Sequence, residues 1–450
     1  MEYRYRDASE MKDSGVEWIG MIPKDWDITK FKYVSLLYTG NSIKDSEKDN
    51  YSSNENAYPY IGTKDIISDY NKINYNNGMY TKTDDSRFRV AEEGSTLICI
   101  EGGSAGKKLS YLNQRVSFVN KLCCIQSNKI YSKFQYYYCN SDSFKKEFSL
   151  NLSGLIGGVS INSLNNFRLV NPSLYEQKKI ANFLDKKISQ FDYIISKKEG
   201  LIEKLEEAKK SLISEVVTGK MKVIKNDDGY DLVKRSNDEM KDSGVEWLGE
   251  IPKDWEVKKF SHIIKISNGQ VNPKIEPYSN MILIAPNHIR SNMGKIIALE
   301  TANSQGADSG KYFCNKGDII YSKIRPNLCK VCIAPLDCLC SADMYPMKTD
   351  SKLLNQEYLL WILLSDNFTK YVVLDSDRVA MPKVNRESLS KFKIPVPTLQ
   401  EQNLLNTVLK DKDKNIDCLI SKIKLQIEKL KEAKQSLISE AVTGKIEIMD

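Results

Sequence analysis

The sequence predicts an α+β protein written twice: two globular lobes of mixed α/β composition separated by two long antiparallel coiled-coil helices, the halves related as a pseudo-two-fold internal repeat. Three observations predict it. A tryptophan-bearing stretch, MKDSGVEWIGMIPKDWDITKFKYV at 11–34, returns as MKDSGVEWLGEIPKDWEVKKFSHI at 240–263 with 16 of 24 positions identical. A second stretch, LEEAKKSLISEVVTGK at 205–220, returns as LKEAKQSLISEAVTGK at 430–445 with 13 of 16 identical. The segments running into this second stretch carry apolar residues at alternating steps of four and three, which is the spacing of a coiled-coil seam.

Each half therefore reads as an opening motif, a long variable body and a closing motif. The expected divisions are a first lobe at 1–172, a first long helix at 173–219, a polar linker at 220–239, a second lobe at 240–397 and a second long helix at 398–450. At 450 residues each lobe is long enough to bury a core of its own. The bodies have drifted apart until only echoes remain, such as Gly94 against Gly317, and Val159 with Leu164 against Val384 with Leu389. Short strand-like runs (95–100, 121–126, 281–285, 318–324) alternate with Gly, Asn and Ser turns and with short helices such as YLLWILL at 358–364.

The long helices are punctuated alike. Ser173 with Glu176 and Thr398 with Glu401 form S/T-x-x-E capping boxes at their starts, and Gly219 and Gly444 stand where a left-handed residue would close them. About 45 residues lie between cap and stop, roughly 67 Å of helix, which calls for a partner. The first seam runs Leu184, Ile188, Phe191, Ile195, Lys198, Ile202, Leu205, Lys209, Leu212, Val216. The second runs Leu409, Asp413, Ile416, Ile420, Ile423, Ile427, Leu430, Lys434, Leu437, Ala441. Antiparallel pairing of the two is expected, against the alternative that each helix packs only on its own lobe. Lys209 and Lys434 stand at equivalent seam positions, where they either mark register or yield to Ala208 and Ala433. Trp18, Trp26, Trp247 and Trp255 of the opening motifs, with Leu205, Leu212, Leu430 and Leu437 of the helices, are expected at partner-facing or interdomain packing positions.

Composition excludes several functions. The N-terminal run is charged where a secretion signal needs an apolar stretch, and no run of residues is apolar enough for a bilayer, so a cytoplasmic protein without membrane contact is expected, its ten cysteines free. EGGSAGKK at 101–108 fails the phosphate-loop pattern at Glu101 and Lys108. Cys329, Cys332, Cys338 and Cys340 pair as C-x2-C and C-x-C on what reads as alternating strand, which suits buried cysteines better than tetrahedral zinc. The two histidines, His262 and His288, have no nucleophile pattern beside them. Glu207 and Lys209 spell E-x-K, but on a heptad helix, where a solvated face is the plainer reading. No metal, no cofactor and no catalytic residue is expected on this chain.

What remains is binding. The balance of 66 basic to 59 acidic residues, net +7, leans toward a polyanion. In the first lobe Arg87, Arg89, Lys107, Lys108, Arg115 and Lys121 stand near turns; in the second, Lys323, Arg325, Asn327, Lys330, Arg378, Lys383, Asn385 and Arg386 do. Such side chains fork onto guanine or adenine edges or track phosphates, so these fourteen are the candidate DNA-binding residues.

The opening run SGVEWIGMIPKDW, the runs PSLYEQKKIANFL and PTLQEQNLLNTVL, and the ending KKSLISEVVTGK resemble the specificity subunit of type I restriction-modification systems over essentially the whole chain, in both halves and in the family's order. KGDIIYSKIRPNLCKV in the second lobe is similar to that family's target-recognition domain; LICIEGGSAGKK in the first departs from its SKIRP pattern. The resemblance implies two target-recognition domains, each reading one half of a bipartite double-stranded DNA site, with the helices setting the spacer. It also implies two modification (methyltransferase) subunits as partners, and restriction/translocase subunits. S-adenosylmethionine, ATP and Mg then belong to those partners. No D/N-P-P-Y/F methylation motif occurs, NPSL at 171–174 departing from it, in keeping with a non-catalytic subunit. A coiled-coil scaffold whose lobes bind proteins, and a self-sufficient DNA enzyme, are the alternatives.

Overall fold

The computed structural model describes residues 2–67, 72–154, 157–227, 229–376 and 383–449. Two long helices organise it, α1 (Leu174–Val217) and α2 (Leu399–Val442), each of 44 residues. The chain divides into two compact units, one made of residues 1–199 and 424–450, the other of 200–423. Each unit thus holds one lobe, the N-terminal part of one long helix and the C-terminal part of the other.

In the first unit the lobe centres on a four-stranded antiparallel sheet in the order Leu109–Tyr111, Thr96–Cys99, Leu122–Ser127, Ser35–Thr39. Thr96–Cys99 is buried along its whole length, as a strand covered on both faces must be, which is why TLIC is nearly all apolar. A second sheet beside it contains one parallel pair, Val116–Phe118 with Ala57–Ile61. The second unit repeats the main sheet strand for strand and three strands of the second sheet, whose fourth strand differs: Tyr80–Lys82 pairs with Ala57–Ile61 in the first unit and Gln270–Val271 with Lys311–Cys314 in the second. Its main sheet orders Val331–Ile333, Ile319–Ser322, Met344–Thr349, Ile264–Ile266, and its second sheet also has one parallel pair, Leu283–Ile284 with Cys338–Cys340. The echoes fall at equivalent places: Gly94 and Gly317, at φ +84° and +90°, turn the chain into the buried central strands.

The long helices both pair with each other and pack on the lobes. Every seam position is buried or half-buried. In the first unit, as the helix numbering of α1 rises from Asp192 to Lys198, its partners on α2 fall from Lys434 to Gln426, at 2.6 and 2.7 Å, so the pair is antiparallel. In the second, Lys209 of α1 meets Asp413 and Asp417 of α2 at 2.5 and 2.8 Å. The first lobe's main core also takes in Ile180, Phe183 and Leu184 of α1 and Leu437, Ile438 and Ala441 of α2. Lys209 is 5 % exposed, whereas Ala208 and Ala433 face solvent, so the lysines are the seam residues. That also corrects the solvated reading of E-x-K: Glu207 is exposed, but Lys209 is enclosed by carboxylates.

The opening and closing motifs meet. In the first unit Trp26, 1 % exposed, donates its indole N–H to Glu176 Oε1 at 3.1 Å, the capping glutamate of α1, whose box closes through Ser173. Gly444, at φ +72° after the end of α2, lies so close that a Cβ there would sit 2.5 Å from Pro23 Cδ and 3.0 Å from Trp26 Cη2. The second unit matches: Trp255 donates to Glu401 at 3.0 Å, and a Cβ on Gly219 would fall 2.3 Å from Pro252 Cδ. One Pro/Trp motif therefore joins the start of one long helix to the end of the other, which explains why both motifs survive in both halves. Replacing Gly444 with Ala combines left-handed strain of about 1–2 kcal/mol with overpacking of similar size. A loss of about 3 kcal/mol in urea unfolding is expected; a change within 0.5 kcal/mol would contradict this account.

Residues 220–239, expected to be a polar linker, instead contain a β-hairpin, Met221–Asn226 with Gly229–Lys234. Alternation sets Met221, Val223 and Leu232 against the second core, which offsets their polar neighbours. The second long helix also stops before the expected 450: it ends at Val442, and Ile446–Ile448 form a strand paired with Tyr3–Tyr5. All ten cysteines are free, and nine are buried, with Cys329, Cys332, Cys338 and Cys340 in or beside strands. Among the described residues no group of three or more His, Cys, Asp or Glu is placed to hold a metal, and no helix is long and apolar enough to cross a membrane.

Candidate nucleic-acid interface

The second lobe gathers residues that lie sixty positions apart in sequence. Ile319–Ser322 is a central strand, and the chain leaves it at Lys323, whose carbonyl accepts the N–H of Val384 at 2.8 Å; Ile324 and Lys383 form an antiparallel bridge. This brings 323–325 beside 383–386. There the Tyr345 ring meets two cations, Lys323 Nζ at 5.5 Å from its centroid and the Arg386 guanidinium at 5.4 Å. Arg386 is held further by the carbonyls of Ile266 and Ser267, at 3.4 and 2.9 Å. Its aliphatic and aromatic surroundings fix the guanidinium plane, which a flexible surface arginine lacks.

Arg325 is exposed and sits at φ +50°, ψ +61°, opening the short turn Pro326–Leu328, and Cys329 after it is also left-handed at φ +40°. A left-handed conformation at each of these two non-glycine residues costs about 1–2 kcal/mol. The turn they flank carries the exposed Arg325 and Asn327. Lys383 is exposed too. Asn385 caps the helix Arg386–Lys391, its side chain accepting from Ser388 N at 2.7 Å, and Lys330 is tied down on the Pro286 carbonyl at 2.6 Å. Arg378 lies outside the described residues.

Beside Arg386 opens a cleft lined by Phe260–Ile266, Lys348–Asp350 and Ser390, in which Lys265 and Lys348 add positive charge and Asp350 subtracts one. Sequence reading missed Tyr345, Lys265 and Lys348. The one signal was the alternation of lysines with apolar residues on strands Ile264–Ile266 and Met344–Thr349, which puts both lysines on the same outward face.

The first lobe arranges its six candidates differently. Arg87 is exposed but forks onto Asp85, at 2.9 and 2.7 Å, and reaches the Tyr51 hydroxyl at 3.0 Å; Arg115 pairs with Glu92 at 2.6 Å. Both guanidinium pKa values are raised, chiefly by those carboxylate hydrogen bonds. Arg89 donates to the Thr39 carbonyl at 3.3 Å, Lys107 to Gly103 at 3.4 Å and Lys108 to Thr63 at 2.8 Å, while Lys121 is exposed. No shared partner draws the six together among the described residues. Exposed ion pairs of this kind are worth under about 1 kcal/mol and yield readily to a phosphate.

The arrangement offers donors and cations to a polyanion. Compared with known proteins, the chain matches the family described as the type I restriction modification DNA specificity domain over residues 23–207 and 252–429. It is 25% identical to the type I restriction enzyme EcoDI specificity subunit of Escherichia coli, over 95% of this chain and 90% of that one. It is likewise 25% identical to the MjaVIII specificity subunit of Methanocaldococcus jannaschii, over 95% and 94%. A solved structure described as the basis of complex assembly and conformational transition of the type I R-M system shares the fold, with a TM-score of 0.68 at 15% identity, covering 94% of this chain and 99% of that one.

Proposed function

Because the chain belongs to the type I restriction-modification DNA specificity family, we propose that it is the non-catalytic DNA-recognition subunit of such a complex, each lobe reading one half of a bipartite double-stranded site. The observation that carries this reading is the contrast between scaffold and surface. The main sheet is ordered alike in both lobes, yet the cations differ: Lys323 and Arg386 meet at Tyr345 in one, with Arg325 exposed beside them, and separately tethered residues stand in the other. One frame bearing two dissimilar polar faces suits two dissimilar half-sites.

The long helices are the proposed spacer ruler and docking surface for two modification subunits. Exposed apolar residues recur at matching places on them, Leu174 with Leu399 and Ile194 with Leu419, exposed by 54, 38, 42 and 49 %. Repeated apolar patches of this sort suit two copies of one partner. S-adenosylmethionine, ATP and Mg would be held by the modification and restriction/translocase subunits, with the assembly in the cytoplasm.

Mapping methylated adenines in cells that carry this chain with its modification subunit tests the reading: one split motif of two unlike halves is expected. Arg325→Ala should weaken or relax one half by about 1–3 kcal/mol, roughly 5- to 150-fold, and leave the other intact. Equal loss at both halves, or at neither, would count against the assignment of Arg325.

A further inference from the structure

The two halves of this chain are a built-in comparison. Drift ordinarily erases surface residues before core residues. In the helices Asp142–Leu150 and Asp366–Ser376 the reverse has happened. DSFKKEFSL and DNFTKYVVL agree at four of nine positions. One is the buried pair Phe144 and Phe368; the other three, Asp142/Asp366, Lys146/Lys370 and Leu150/Leu374, recur every fourth residue and so form one stripe. Meanwhile buried Phe148 has become Val372 and buried Glu147 has become Tyr371. The leucines are 57 and 73 % exposed, so packing does not explain why both halves keep them.

In the first unit this stripe forms one wall of a cleft of about 470 Å³, with Glu17 and Trp18 of the opening motif and Lys445 of the closing motif on the others. Their counterparts in the second unit are identical: Glu246, Trp247 and Lys220. The floor is built alike as well. Asp142 N donates to Ser439 Oγ at 3.0 Å, and Asp366 N to Ser214 Oγ at 2.9 Å.

We propose that these are two matched docking clefts, each taking the same segment of one modification subunit. This rests on the function proposed above and goes beyond it by placing a contact off the seam of the long helices. The chemistry asks for an apolar side chain between the leucine and the tryptophan edge, flanked by a cation facing Glu17 and Asp142 and a carboxylate facing Lys146 and Lys445. Nucleic acid fits poorly, since two of the four charges would repel its phosphates. The same charged and apolar residues at equivalent positions of otherwise diverged lobes imply two copies of a single polypeptide.

The test uses the full chain and the purified modification subunit of its system, with Leu150→Asn and Leu374→Asn made singly and together, and copies bound per chain counted by native mass spectrometry. Wild type should bind two copies, each single variant one at unchanged affinity and one weakened at least about tenfold, and the double variant both weakened. Both leucines are exposed, so unfolding midpoints should not move. A double variant that binds two copies as tightly as wild type overturns the clefts and leaves the proposed function standing. Absence of any binding by wild type overturns both. A variant that keeps its partners but loses DNA affinity assigns the clefts to nucleic acid and overturns the docking role.

Discussion

Lys209→Met should destabilise the second unit by about 3 kcal/mol at pH 7, because it leaves two carboxylates largely buried without their cation. Lys209 is 5 % exposed and bonds Asp413 and Asp417, which are 12 and 18 % exposed in their side chains. Lys295 from the lobe also holds Asp417 and approaches Asp413 to 3.8 Å, so the loss falls at the lower end of the range for a broken buried pair. The effect has a pH signature. Burial pushes the Lys209 pKa down, but the hydrogen bonds it donates to Asp413 and Asp417 outweigh it and raise the pKa overall. Burial pushes Asp417 up, and the bonds from Lys209 and Lys295 bring it below its ordinary value. A lowered carboxyl contributes stability above the ordinary carboxylate range that is lost as pH falls through the folded value. A raised lysine contributes stability below the ordinary lysine range that is lost as pH rises through its folded value. The network therefore holds between roughly pH 4 and 10. In the variant the burial of Asp417 is opposed only by Lys295, its carboxyl pKa rises, and the native state takes up a proton on mild acidification. The deficit against wild type should shrink between pH 7 and pH 5, measured by denaturant midpoints. A deficit under 1 kcal/mol, or one that is flat with pH, would show that the lysine is not the counter-charge of this seam.

Lengthening both long helices should change which DNA is modified while leaving the half-sites alone. Seven residues inserted after Glu199 in α1 and seven after Ile423 in α2 fall at the border between the two units and preserve the phase of the seam. Each helix grows by about 10 Å. On the proposed reading the spacer lengthens by about 3 base pairs at roughly 3.4 Å each. Sequencing of methylated adenines should return the same two halves farther apart. An unchanged spacer would remove the ruler from the proposal, and loss of all methylation with intact folding would mean that the partners bridge a fixed distance.

The helices were legible in the sequence because their determinants are local: a capping residue, a seven-residue period and a terminal glycine all act within a turn or two. The central strands were legible for the same reason, as TLIC and IIYS are short, largely apolar runs each preceded by a glycine turn, at Gly94 and Gly317. What stayed hidden depends on chain returns. Tyr345 meets Lys323 and Arg386 only through a register that no short window encodes. Lys209 could be placed on the seam by counting, but its carboxylates stand more than two hundred residues away. The hairpin within 220–239 was hidden by composition, since its lysines and aspartates read as solvated coil until the apolar residues between them find the second core.

That hairpin has a twin. Tyr3 opposite Ile448, Arg4 opposite Glu447 and Tyr5 opposite Ile446 correspond, residue for residue, to Leu232 opposite Val223, Val233 opposite Lys222 and Lys234 opposite Met221. One ladder is spliced by a covalent turn and the other is held by hydrogen bonds alone, so the same pairing forms with and without a connecting loop. Opened between Asn226 and Gly229, with Tyr3 and Ile448 joined through a short turn, the chain should form the same two ladders in the opposite order of synthesis.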